Sequence, residues 1–162
     1  MFTDDFNNSI EDFKNIQPEL ERILKGEIVP IEGNGEIAKI LDIHCGIDYI
    51  LKHKLGVRGI ASRIQRGKNW HTFTIRAKKA TGNTTEYEKR ITALKYNFIY
   101  PYYTMQAYKT DKGFEGAICH TDELYQIIQN GGCRTNKTDN AMFYIVDWDM
   151  LKDIKFFKVD TI

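Results

Sequence analysis

The chain has 162 residues, of which 42% are hydrophobic and 28% are charged, and this composition excludes a disordered or collagen-like protein. The three cysteines are odd in number and lack a CxxC spacing, which argues against a disulfide framework or a zinc finger and favours a reducing compartment. Acids follow Met1 and no apolar run approaches about 18 residues, so we expect neither a signal peptide nor a membrane span, and a cytoplasmic protein.

The net charge of +1 conceals an uneven distribution of charge. Residues 48–95 contain 12 Lys or Arg and three acids, a net charge of +9, and the rest of the chain has a net charge of −8. A basic segment of this kind predicts a polyanionic partner such as DNA or another nucleic acid. In the alternative, these charges face water or are covered by acids from elsewhere in the chain. The bases expected to contact nucleic acid are Arg58, Arg66, Lys68, Arg76, Lys78 and Lys79.

The first 30 residues are acidic and helical in pattern. Ser9 with Asp12 predicts a capping box that opens one helix, and Pro18 suits the first position of a second helix, which ends at Gly26. We interpret residues 1–30 as a helical N-terminal arm.

The next segment is rich in proline and glycine. Residues 28–35 contain Pro30, Gly33 and Gly35 and are predicted to form a turn-rich connector. The apolar positions of residues 36–45 fit either a helix or a strand, and we favour a helix that ends at Gly46.

Three strands are then predicted in succession, over residues 47–51, 57–66 and 72–76. If they pair as neighbours, one face of the sheet is apolar, and the other carries Asp48, Arg63, Gln65 and Arg76. A carboxylate in an otherwise apolar strand costs several kcal/mol to desolvate unless a cation or a hydrogen-bond donor meets it. We therefore expect Asp48 to have a partner on the next strands, and this polar face to be the functional one.

The second half of the chain alternates helices and strands. Thr85 with Glu88 forms a capping box, and Glu86 stands four residues before Arg90, as in a helical ion pair. Strands are predicted over residues 100–108, 114–119, 141–146 and 154–159, a short helix over 122–130, and an exposed loop over 131–140. These elements predict one domain, residues 1–162, of the α/β or α+β class with a mixed β-sheet flanked by helices. Residues 36–108 are its core, and residues 109–162 are a strand, helix, strand extension.

Two short motifs carry a family resemblance. Residues 47–51, Ile-Asp-Tyr-Ile-Leu, and residues 60–65 on the next strand resemble the core of the PD-(D/E)XK nuclease-like superfamily. The resemblance implies a restriction-endonuclease-like core of order αβββαβ, with Asp48 as a ligand of Mg²⁺, and a DNA nuclease of phage or mobile-element type. The chain departs from the family where an acid-x-lysine tripeptide is expected, because Arg63 and Gln65 stand there.

This departure leaves two functions open. In the first, the second acid comes from the following helix, so that Asp48 and Glu86 or Glu88 bind the metal and Arg63 or Gln65 takes the orienting role of the lysine. In the second, Arg63 neutralises Asp48, and the same face belongs to a catalytically inactive nucleic-acid binder or protein inhibitor, for example of a bacterial defence system. The resemblance also implies a possible homodimer, because enzymes of this type often work as dimers, and the binder or inhibitor alternative implies a possible acidic protein partner.

Overall fold

The computed structural model describes residues 2–31, 35–79 and 84–161, with side chains from residue 10 onward apart from that of Lys79. The helices are α1 (Phe2–Leu24), α2 (Glu36–Lys39), which continues as a π-helical turn (Ile40–His44), α3 (Glu86–Tyr96), α4 (Thr121–Gln129) and a 3₁₀ turn (Trp148–Met150). The strands are β1 (Glu27–Pro30), β2 (Tyr49–His53), β3 (Gly56–Arg66), β4 (Thr72–Lys79), β5 (Tyr103–Thr110), β6 (Gly113–His120), β7 (Arg134–Lys137), β8 (Ala141–Asp147) and β9 (Ile154–Asp160).

The strands of the described residues form two sheets. The larger one has the order β1-β2-β3-β5-β6-β9, and the smaller one has the order β4-β8-β7. All pairs are antiparallel except β3 and β5, which run parallel. Parallel neighbours need a long crossover, and here the chain between β3 and β5 contains β4 and α3.

The prediction that three successive strands lie side by side was wrong for the third. β2 and β3 pair, with Tyr49 opposite Ile60, but β5 occupies the other side of β3. β4 pairs instead with β8 in the smaller sheet, with Phe73 opposite Val146. Arg76 therefore belongs to a different sheet from Arg63, and any site that contains both lies between the two sheets.

Helix α1 covers one face of the larger sheet. Its buried residues Phe13, Ile16, Leu20 and Leu24 join a core cluster with apolar side chains of β2, β3, β5 and β6. The prediction of two helices divided at Pro18 was wrong, because the chain is a single helix with the proline inside it. The buried positions continue at helical spacing on both sides of the proline, so packing against the sheet outweighs the lost hydrogen bond.

The other face of the larger sheet packs against the smaller sheet and α4. A second core cluster joins Phe73 of β4, Tyr108 of β5, Leu124 of α4 and Val146 of β8, and residues of α3 pack at its edge. The fold is thus layered, with α1, the larger sheet, and then the smaller sheet with α3 and α4. The α+β prediction is confirmed.

Two predicted loops contain strands. The connector over residues 28–35 begins with β1, which pairs with β2. Because β1 is an edge strand and pairs on one side only, Pro30, which has no backbone N–H, is tolerated at its end. The loop predicted over residues 131–140 contains β7, an edge strand whose four residues are all exposed. Residues 32–34 of the first loop and 80–83 of the loop after β4 lie outside the described residues. Among the described helices, none combines the length and apolarity needed to cross a membrane.

Candidate functional site

A polar pocket of about 320 Å³ lies where the π-helical turn, the start of β2 and the first turns of α3 meet. We call it the Asp48 pocket. It brings three acids and four bases together. Its lining residues are Asp42, Ile43, Gly46, Asp48, Arg63, Arg76, Thr84, Glu86, Lys89 and Arg90.

Asp48 is half-buried at the point where β2 begins to pair with β3. Its backbone N–H donates to the carbonyl of Ile60 at 2.9 Å, and its Oδ2 accepts the backbone N–H of Ser62 at 2.8 Å. The expected partner of Asp48 on the next strand is therefore a backbone amide, not a cation. Among the described residues the Asp48 carboxylate forms no ion pair, because Arg63 pairs elsewhere.

The environment of Asp48 favours its protonated form. The pKa of Asp48 is raised to about 7, and the largest cause is desolvation by the surrounding protein. The hydrogen bond from the Ser62 N–H acts in the opposite direction and lowers this pKa. The carboxylates of Asp42 and Glu86 raise this pKa further, and the Arg90 guanidinium lowers it. A carboxyl group that titrates near neutral pH inside a polar pocket is typical of a functional site.

Glu86 is the second acid that the fold brings to this pocket. It stands in the first turn of α3, which begins after the N-cap Thr85, whose side chain accepts the N–H of Glu88 at 3.3 Å. Oε1 of Glu86 lies 3.6 Å from Nη2 of Arg63 and accepts the backbone N–H of Arg76 at 3.3 Å. Glu86 thus links β3 of the larger sheet with β4 of the smaller one.

Arg76 enters the pocket at an irregularity of β4. The pairing of β4 with β8 shifts register between Arg76 and Lys78, and bulges of this kind re-aim a side chain. The guanidinium lies 5.4 Å from the ring centroid of Phe143. Its Nε is buried without a hydrogen-bond partner among the described residues, which leaves Arg76 with unused donor capacity beside the pocket.

Lys89 and Arg90 hold the π-helical turn in place. Lys89 Nζ donates to the carbonyl of Ile43 at 2.6 Å, and Arg90 Nη1 donates to that of Cys45 at 2.6 Å. Gly46 has a φ of +69°, and a Cβ there would lie 1.9 Å from Nη2 of Arg90. The expected Glu86–Arg90 ion pair is absent from the described contacts because Arg90 is buried against these carbonyls.

Sequence reasoning missed Asp42, Lys89 and Arg90 as members of the pocket. Asp42 lies on the π-helical turn and the two bases lie on α3. The one sequence signal for this part of the pocket was Gly46, because glycine is favoured where a helix ends in a left-handed backbone conformation. Such a glycine marks the turn that leads into Asp48.

Two predicted site residues lie apart from the Asp48 pocket. Glu88 is exposed and does not line it, so the structure separates the two acids between which the sequence could not choose. Gln65 lines a neighbouring cavity, where its Oε1 accepts the amide of Gln106 at 3.4 Å. Arg63 lines both.

The expected nucleic-acid contacts with described side chains do not all lie on one surface. Arg58 lies 4.0 Å above the ring of Tyr102, near the opposite end of β3 from Arg66. Arg66 pairs at 3.1 Å with Asp12 of α1.

The remaining bases of this set with described side chains have different neighbours. Lys68 contacts the ring of Trp70, and Lys78 lines a separate shallow cavity beside β8. The side chain of Lys79 lies outside the described residues. Arg76 is the member of the set that lines the Asp48 pocket.

No group of three or more His, Cys, Asp or Glu side chains in the described part of the chain is placed to hold a metal ion. The sequence matches no protein-family model, and neither the curated proteins nor the solved structures searched contain a significant match to it. The geometry of the pocket is therefore the basis on which a function is proposed.

Proposed function

We propose that the protein is a nuclease that hydrolyses phosphodiester bonds in DNA at the Asp48 pocket, with Mg²⁺ as its cofactor. The observation that carries this proposal is the convergence of Asp48 and Glu86, from two different elements, on one pocket that Arg63 and Arg76 also line. Carboxylates suit a hard divalent cation, and arginines suit the phosphate that this cation would also contact.

The order of the elements supports the resemblance to the PD-(D/E)XK superfamily. The αβββαβ order fits elements other than those of residues 36–108, because it takes its first helix and strand from the expected N-terminal arm: α1, β1, β2, β3, α3 and β5, whose strands are neighbours in the order β1-β2-β3-β5. In this assignment α2 and the π-helical turn are an insertion between the first two core strands, and β4 is an insertion between the third core strand and the second core helix. Asp48 then stands at the head of the second core strand, as the resemblance expects.

The donor set of the pocket fits Mg²⁺, which commonly takes one or two carboxylates and completes its shell with water and substrate phosphate. Among the described residues, Oδ1 of Asp48 and Oε2 of Glu86 accept no hydrogen bond. These two oxygens would hold the ion. When bound, it would lower the pKa of a coordinated water and stabilise charge on the phosphate.

The protein residues have separable tasks in this proposal. Asp48 must be ionised to bind the metal, so activity is expected to rise as pH increases through about 7. Arg63 and Arg76 bind the non-bridging oxygens of the scissile phosphate and stabilise the charge that develops there. Gln65 lies outside this pocket, so Arg63 takes the supporting role expected of the family's lysine.

The proposal is tested by incubating supercoiled plasmid and single-stranded DNA with the protein and Mg²⁺ or Mn²⁺. The wild type should cleave at least one of these substrates, and Asp48→Asn, which can still accept the Ser62 N–H, should lose about 100-fold or more of the activity. Glu86→Gln should be similarly inactive. Glu88→Gln is the matched control, two residues away on the same helix but exposed. No cleavage with either metal, or equal losses in the Glu86 and Glu88 variants, would contradict the proposal.

A second candidate function is a catalytically inactive binder of nucleic acid or of an acidic protein. It is favoured by the contacts of Glu86, whose Oε1 is already engaged by Arg63 and by the N–H of Arg76. In that case DNA should bind in EDTA without cleavage in any metal, and Arg63→Ala should weaken the complex. Cleavage that depends on Asp48 would exclude this function.

A further inference from the structure

A larger cavity of about 590 Å³ lies between the two sheets next to the Asp48 pocket, and we call it the Trp70 cavity. The two are adjacent because Arg63 lines both and because the Arg76 guanidinium, in the pocket, packs against Phe143, in the cavity. The lining of the cavity includes Gln65, Trp70, Thr74, Tyr108, Phe143 and Ile145.

Part of the cavity lining is aromatic and apolar, namely Trp70, Phe143 and Ile145. Trp70 is 63% exposed, and Phe143 and Ile145 are half-buried. Lys68 places its Nζ 4.5 Å from the centroid of the Trp70 ring. An exposed tryptophan beside a cation is suited to stacking against a nucleobase whose backbone is negatively charged.

Three lining residues, Gln65, Thr74 and Tyr108, are hydrogen-bonded to the buried Gln106, whose orientation is fixed. Oε1 of the buried Gln106 accepts the backbone N–H of Thr74 at 2.7 Å, and a backbone amide can only donate. The amide nitrogen of Gln106 must therefore face its other neighbours, the hydroxyls of Thr74 and Tyr108 and Oε1 of Gln65.

This orientation determines what Gln65 can offer to a ligand. Because its Oε1 is the atom that meets Gln106, its amide nitrogen keeps both donors and bonds to no described residue. A side-chain amide held in this way can donate to the ring nitrogens and carbonyl oxygens at the edge of a base.

We infer that the Trp70 cavity binds an unpaired nucleobase of the strand whose phosphate lies in the Asp48 pocket, so that the substrate is single-stranded. This inference rests on the proposed function. The cavity lies within the range of small-molecule sites and combines an apolar wall with a few placed polar groups. Bases in a duplex are stacked and paired and cannot enter such a cavity without being extruded.

The inference is tested by tryptophan fluorescence in EDTA, where binding is measured without cleavage. The other tryptophan, Trp148, is 4% exposed, so a change on adding DNA reports on Trp70. A 12-residue oligodeoxythymidylate should quench the emission, and a duplex of equal length, an oligouridylate of equal length and heparin serve as comparisons. Quenching by the two single strands but not by the duplex or heparin supports base stacking. Equal quenching by heparin or the duplex, or none by the single strands, would overturn the inference.

Variants give a second readout. By anisotropy, Trp70→Ala should weaken binding of the oligodeoxythymidylate roughly 5- to 150-fold. Phe98→Ala removes an aromatic of similar exposure, 59%, that does not line the cavity, and it should leave the affinity unchanged. Equal affinities of wild type and Trp70→Ala would contradict the inference, whatever the cleavage result. If Asp48→Asn loses cleavage while the oligodeoxythymidylate still quenches its tryptophan emission, base binding in the Trp70 cavity is independent of cleavage at the Asp48 pocket.

Discussion

At the scale of single residues, Asp48 has an arrangement that stability alone does not favour. Its carboxylate is desolvated, has one backbone donor and lies near two other acids, and its pKa is raised to about 7. A group whose pKa is raised on folding binds a proton that the unfolded chain has already lost. Its contribution to the free energy of unfolding therefore falls as pH rises from about 4 to about 7.

The substitution Asp48→Asn should thus stabilise the protein at pH 8, by an amount on the order of 1–4 kcal/mol, because it removes the desolvated charge and keeps an acceptor for Ser62. At pH 4 the two proteins should differ little. Urea unfolding at the two pH values measures the difference. Destabilisation of the variant at pH 8 would mean that the charge of Asp48 has a structural partner, and Glu88→Gln should show neither effect.

Sequence reasoning could identify Asp48 because an acid among apolar neighbours is visible in the pattern itself. Its partner could not be identified, because the donor is a backbone amide of Ser62 and every residue except proline has such an amide. The choice between Glu86 and Glu88 also needed coordinates. Both follow the same capping residue, and only the direction in which α3 faces the sheet distinguishes them.

At the scale of elements, alternation predicted strands that overlap β2, β3 and β4, and the two faces of β3, but not which strands are neighbours. Consecutive strands lie side by side in roughly two-thirds of cases, and β3 and β4 are an exception because β5 takes the place beside β3. This exception places Arg76 opposite Arg63 across the gap between two sheets. The pocket and the Trp70 cavity both depend on it.

In helix α1, the buried acid Asp12 forms ion pairs with bases of the larger sheet. Asp12 is 4% exposed and accepts from Arg66 at 3.1 Å and Lys109 at 3.0 Å. Asp12→Ala should lower the free energy of unfolding by about 1–3 kcal/mol, because both cations lose their partner but can still reach water. Chemical denaturation measures the change.

The adjacent Glu11 is the matched control for this helix. It pairs with Lys14 at 3.2 Å on the exposed surface, with the two side chains 70% and 64% exposed, so Glu11→Ala should cost about 0.5 kcal/mol or less. Equal losses in the two variants would show that the Asp12 ion pairs do not anchor α1 to the sheet.

At the scale of the whole molecule, the basic segment is divided by the fold. The pairing of Arg66 with Asp12 follows the alternative in which acids elsewhere cover the bases. Of the other expected contacts with described side chains, Arg58 lies against Tyr102, near the opposite end of β3 from Arg66, and Lys78 lines a cavity beside β8. Composition could not reveal this, because it counts charges without their direction.

The division predicts different salt dependences of DNA binding for two arginines of the same strand. Arg63 lines the Asp48 pocket, and Arg58 lies on the opposite face of β3, five residues or roughly 17 Å away. Arg63→Ala should reduce the slope of log affinity against log salt by about one, as expected for one lost phosphate contact. Arg58→Ala should leave it unchanged. Anisotropy in EDTA from about 50 to 200 mM salt measures both slopes, and equal reductions would indicate a diffuse basic surface.

The most direct measurement of the central claim is Mn²⁺ binding to the protein without DNA, followed by calorimetry or by the loss of the free-ion paramagnetic resonance signal. If Asp48 and Glu86 share one divalent ion, the wild type should bind one Mn²⁺ per chain, more tightly at pH 8 than at pH 6 because Asp48 must lose its proton. Glu86→Gln should weaken this binding about tenfold or more, and Glu88→Gln should not. Equal affinities for the wild type and Glu86→Gln, or binding that does not change between the two pH values, would contradict the claim.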